Sequence, residues 1–105
     1  MNWFFLFLAG IFEIGWPLGF KLSQTTSYKI SSLLFSGISM ALSGLFLWMA
    51  QKTIPIGTAY AVWTGIGAAG TFLVGILLFK DPSDFFRIAS ATLIILGVIG
   101  LRFSH

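Results

Sequence analysis

Leu6–Phe20 reads LFLAGIFEIGWPLGF, an apolar run broken by a single charge, Glu13. No other charge occurs between Trp3 and Phe20, so the stretch approaches the roughly 20 residues that a helix rising about 1.5 Å per residue needs to cross the hydrocarbon of a bilayer. Composition decides whether it does. The chain has 105 residues, 57% hydrophobic and 9% charged, which is more hydrocarbon than a water-soluble domain of this length can hide. Its solvent is therefore expected to be lipid, and the run a membrane span.

The rest of the chain repeats the pattern. Neither Ile30 to Ala50 nor Ile56 to Phe79 holds a charge, and Ile88 to Leu101 is apolar, with Phe85 and Phe86 before it. Ser23-Gln24-Thr25-Thr26-Ser27, Lys52-Thr53-Ile54-Pro55 and Lys80-Asp81-Pro82-Ser83-Asp84 punctuate the runs. This predicts one all-α membrane domain over residues 1–105, with four transmembrane helices near 3–22, 29–50, 56–79 and 85–103. The runs lack the two-residue alternation of a lipid-exposed barrel. The N-terminus has no charged n-region or small-residue cleavage site, so the first segment is expected to stay as a span.

Several functions are excluded by what the sequence lacks. Zero cysteines leave no disulfide framework and no thiolate metal site. The one histidine is His105, and Glu13 is the one acid inside the spans, so no nucleophile, base and orienting acid can be assembled. An enzyme is not expected, nor a metal or cofactor. The formal net charge of +3 comes from too few residues for a nucleic-acid partner; basic residues beside lipid anchor helix ends at headgroups.

Glu13 thus carries the functional question. An ionised carboxylate at mid-bilayer costs a few kcal/mol, so such residues face a bundle interior or aqueous cavity and handle ions or substrates. A proton and a cation can each neutralise it, so they are expected to compete. Gly10, Glu13 and Trp16 recur at helical spacing on one face, joined by Pro17 and Phe20. Tyr60, Trp63 and Gly67 repeat the pattern in the third span, and the second offers Ser36, Ser39 and Ser43 on a face that also carries Met40. Trp16, Ser43, Tyr60 and Trp63 are expected to orient the acid as donors, with the aromatic faces holding a cation. The alternative is ordinary: Trp and Tyr in interfacial belts, and serines bonded to their own backbone.

Gly65-Ile66-Gly67-Ala68-Ala69-Gly70 matches a dinucleotide-binding fingerprint letter for letter, but it lies inside an apolar helix without the required preceding strand. Gly65, Gly67 and Gly70 are read instead as a place for close packing and bending that alternating access would use. In the fourth span Ser90 and Gly97, with Gly100 beyond, form a small-residue stripe expected to receive a second helix in a dimer. Lys52 and Arg102 would lie on one side of the membrane, against Lys21, Lys29, Lys80 and Arg87 on the other. So small a bias permits two opposite insertions.

The segments AGIFEIGWPLGFK (9–21) and IPIGTAYAVWTGIGAAGT (54–71), set in four short spans, closely resemble the small multidrug resistance family of bacterial inner-membrane exporters. The resemblance covers essentially the whole chain. Trp16 and the block Gly57 to Gly65 look like its guanidinium-exporter branch. The resemblance implies an antiparallel, dual-topology homodimer in the bacterial inner membrane, exchanging protons for a guanidinium-type cation. It implies Glu13 as the shared proton and substrate carboxylate, and Trp16, Ser43, Tyr60 and Trp63 as its partners. Gly10 and Met40 would serve access, and Ser90 with Gly97 the dimer seam. Pro17 stands where that branch usually has Ala. Two alternatives stay open: a multidrug antiporter for quaternary ammonium cations, and one subunit of a paired heterodimer.

Overall fold

The computed structural model describes residues 2–104; Met1 and His105 lie outside the described residues. Four helices follow in order: α1 (Asn2–Thr25), α2 (Lys29–Ala50), α3 (Ile56–Phe79) and α4 (Phe85–Ser104). Each is long and apolar enough to cross a membrane, and no strand occurs among the described residues.

The ends follow from local chemistry. α1 runs three residues past its expected end, because the hydroxyls that looked like a break bond back onto its last turn. Ser23 Oγ donates to the Phe20 carbonyl at 2.6 Å and Thr25 Oγ1 to Lys21 at 3.0 Å, which prolongs the helix. α3 ends where Lys80 turns left-handed (φ 57°, ψ 36°) and Asp81 N–H donates to the Gly75 carbonyl at 3.1 Å. Pro82 then forbids continuation.

α1 is the centre of the bundle. It packs most extensively against α2, then against α3, whereas α4 packs its backbone against α3 and reaches α1 through Arg102, 4.9 Å from the Trp3 ring centre. The α1–α2 seam is made of small residues: Ser32, Ser36 and Ser39 are buried on α2 opposite Gly15 and Gly19, and Ser43 opposite Ala9. Ser36 Oγ donates to the Trp16 carbonyl at 2.8 Å across it. The α1–α3 seam sets Gly10 against Ile66, Gly67 against Glu13 and Gly70 against Ile14, and Gly65 receives Val98 of α4. Large apolar side chains such as Phe4, Phe7, Leu34, Ile38, Leu77 and Phe86 point outward. That inversion of a soluble core suits lipid, where hydrocarbon gains little by hiding and close backbone approach with interhelical hydrogen bonds holds helices together.

One apolar cluster closes an end of the bundle: Leu6, Ala50, Ile54, Ala59 and Val62, with Trp3, Phe5 and Leu47 around it. α3 runs unbroken through Gly65, Gly67 and Gly70, so these glycines act here as seats for neighbouring side chains rather than as a break. In α4 no described residue is buried.

The seams make a substitution test. A Cβ on Gly19 would lie 2.8 Å from the Ser32 carbonyl oxygen, a backbone atom that cannot swing away. Gly19→Ala is expected to lower the thermal unfolding midpoint in detergent, by an overpacking cost of about 1–3 kcal/mol. Gly37→Ala, which meets nothing within 4 Å, should not lower it, since alanine is the better helix former. Equal effects would contradict the seam.

Candidate cation and proton site

Glu13 is half-buried on α1, its Cγ pressed against α3. A Cβ on Gly67 would stand 2.5 Å from that Cγ, so only glycine lets the acid lie here. Trp16, one turn on, donates from Nε1 to Glu13 Oε1 at 2.8 Å. The indole also meets the Phe20 ring edge-on, with centroids 5.5 Å apart. One oxygen of the carboxylate is thereby held by a neutral donor, which satisfies it without cancelling its charge.

Pro17 follows directly. Proline has no N–H, so the Glu13 main-chain carbonyl loses its usual helical partner four residues on. The helix continues regardless, and Ser36 pins the carbonyl just before the proline, that of Trp16, to α2. The carboxylate borders a cavity of about 430 Å³ whose wall includes Pro17, Thr64, Thr71, Asp81 and Arg87. A larger cavity of about 620 Å³ lies between α1, α3 and α4, with walls such as Phe7, Ile14, Leu73 and Ile99; it has no acid and does not reach Glu13.

The other expected site residues fall in three groups. Ser43 does not donate to Glu13. Its single hydrogen goes to the Ala9 carbonyl at 2.7 Å, and its oxygen accepts Trp63 Nε1 at 2.8 Å. The correction has a simple cause: buried Ser43 faces α1 at Ala9, one turn before the acid, where the nearest acceptor is backbone. Ser43 anchors Trp63 instead, and Trp63 meets the exposed Tyr60 edge-on at 5.4 Å. Gly10 faces Ile66 and sets the α1–α3 spacing, leaving no passage there. Met40 is exposed on α2 and lines none of these cavities. Ser90 Oγ is turned back to the Phe86 carbonyl at 2.7 Å, and Gly97 has nothing within 4 Å.

Wall residues that the sequence did not mark as part of the site include Thr64, Thr71, Phe72, Asp81 and Arg87. Asp81 is far from Glu13 along the chain and sits in a loop, so no periodicity connects them; the left-handed turn at Lys80 does.

Four helices able to cross a membrane, with one acid set against a glycine seam and held by an indole, are the architecture of a multi-pass membrane protein. The model of the family described as Small Multidrug Resistance protein matches residues 1–94. The chain is 41% identical over 104 residues to the guanidinium exporter of Escherichia coli K12, covering 99% of this chain and 98% of that one. It is 43% identical over 102 residues to the guanidinium exporter of Yersinia pseudotuberculosis, with 97% of each chain covered. It is 40% identical to that of Salmonella typhimurium over 104 residues, 99% of this chain and 98% of that one. The chain belongs to the small multidrug resistance family, a family of transporters and not of enzymes.

The two indole bonds share no atom, which a double-mutant cycle can read. Ser43→Ala is expected to lower unfolding stability by roughly 1 kcal/mol, since it removes one acceptor and one donor. Combined with Trp16→Phe, the effects should add within about 0.5 kcal/mol. Strong coupling would instead tie Ser43 to the Glu13 carboxylate.

Proposed function

We propose that this chain is a proton-coupled antiporter that exports guanidinium and small substituted guanidinium cations from the bacterial cytoplasm across the inner membrane. Proton and cation take turns on Glu13. The observation that carries the reading is the half-buried carboxylate with a neutral indole donor on Oε1, facing a cavity with no cation of the protein within salt-bridge distance of it among the described residues. Either a proton or a cargo cation can then supply the missing positive charge, and each excludes the other. A guanidinium suits this acid because its flat N–H fork matches carboxylate geometry and it is more weakly hydrated than an ammonium.

The reading includes an antiparallel homodimer, with Glu13 of both copies at one site. α4 supports it, because none of its described residues is buried and Gly97 and Gly100 have nothing within 4 Å. The weak Lys/Arg bias between the two ends is compatible with both insertions. In this scheme Trp16 orients the carboxylate, while Ser43 acts through Trp63 and the Tyr60 ring packed on it. The packed glycines at Gly65, Gly67 and Gly70 let α3 slide past its neighbours between the two access states. The exposed Tyr60 beside Trp63 favours a second reading, in which aromatic faces also accept alkylated ammonium ions.

Proteoliposomes holding this chain alone, acidic inside, are expected to take up guanidinium as protons leave, and Glu13→Gln should abolish that uptake. Tetraalkylammonium currents without guanidinium currents would replace the substrate assignment. Activity only after addition of a paralogue would overturn the homodimer.

A further inference from the structure

Two acids border the cavity beside α3, and the function proposed above uses only one. Asp81 lies in the α3–α4 loop, but its side chain does not simply extend into water. The left-handed turn at Lys80 folds it back over the end of α3, so that Oδ2 occupies the space where a Cβ of buried Gly75 would be. There it forms part of the wall of the Glu13 cavity and also of a neighbouring cavity of about 250 Å³ that Lys21 borders; Pro17 and Thr71 line both. The Asp81 carboxylate makes no hydrogen bond or ion pair with any described residue.

Of the basic groups at this mouth, Arg87 is already engaged, and Lys21, which borders the neighbouring cavity, makes no ion pair with Asp81. Arg87 donates from Nε to the Pro82 carbonyl at 2.8 Å, lies 5.0 Å from the Phe72 ring centre, and approaches Asp84, not Asp81, at 4.0 Å. That arrangement shows that the mouth accommodates a guanidinium group, seated between an aromatic face and a carbonyl. A free guanidinium cation entering beside it meets an uncommitted carboxylate first and Glu13 beyond.

Resting on the export reading, we propose that Asp81 is a positioning residue for the cargo, drawing the cation into the loop-side mouth of the Glu13 cavity. Its charge raises the local cation concentration and the rate of loading without touching the exchange on Glu13 itself. Steering by a fixed charge at a low-dielectric mouth changes encounter rates and fades as salt screens it; the screening length is about 10 Å at 0.1 M. The role is therefore visible in KM and not in the maximal rate.

The test is guanidinium-evoked current in proteoliposomes at low and high ionic strength. Asp81→Asn is expected to raise KM about three- to tenfold at low salt, with maximal current unchanged, and the difference should shrink at high salt. Asp81→Glu should keep the wild-type KM. Asp84→Asn should also keep it, since Asp84 lies toward Arg87 and lines no part of the cavity. A wild-type KM in Asp81→Asn at low salt overturns the proposal, as does an equal rise in Asp84→Asn, which would reduce it to diffuse surface charge. A fall in maximal current alone also overturns it. If wild-type protein carries no guanidinium current, the export reading fails and this inference falls with it; if it does, only Asp81 is at stake.

Discussion

A carboxylate surrounded by hydrocarbon has to be neutralised, and among the described residues Glu13 has no basic side chain within salt-bridge distance to do it. The nearest polar group on it is the Trp16 indole, a neutral donor that fixes one oxygen and leaves the charge unanswered. A resident lysine or arginine would have made the site stable and idle. On the export reading proposed above, the missing positive charge is supplied by a ligand that arrives and leaves, so that binding and coupling would share one residue.

The architecture exists to bring that acid against α3 and leave room beside it. Glycine at position 67 is what lets the Glu13 side chain lie flat on a neighbouring helix. Serines and glycines on both faces of α1 allow the close approach that lipid, having no hydrophobic drive of its own, cannot enforce. Hydrogen bonds from Ser36 and Ser43 to backbone carbonyls of α1 fix its height against α2 just before and just after the acid. Ser43 passes that fixation on to Trp63, so the Trp63–Tyr60 ring pair is braced from the same seam.

The spans were legible because a bilayer imposes a length and an apolarity that few other constraints mimic; α3 coincides with its uncharged run, and α2 adds only Lys29 to its own. The end of α1 was less so, since Ser23 and Thr25 read as loop residues by type and act as helix residues by bonding backward. Within the site, the Glu13–Trp16 bond follows from helical spacing alone. The partner of Ser43 did not, because α2 meets α1 at a height that the sequence of neither helix specifies. Asp81 was hidden for a related reason: a single left-handed residue at Lys80 decides whether the next side chain faces water or the cavity.

Exclusive occupancy of Glu13 is most directly read as protons released when cargo binds. Guanidinium added to the detergent-solubilised protein in weakly buffered solution near neutral pH is expected to liberate protons, with affinity falling as the solution is acidified, and both effects vanishing in Glu13→Gln. Binding that releases no protons and holds the same affinity across that range would mean that the two ligands sit on separate groups, contrary to the mechanism.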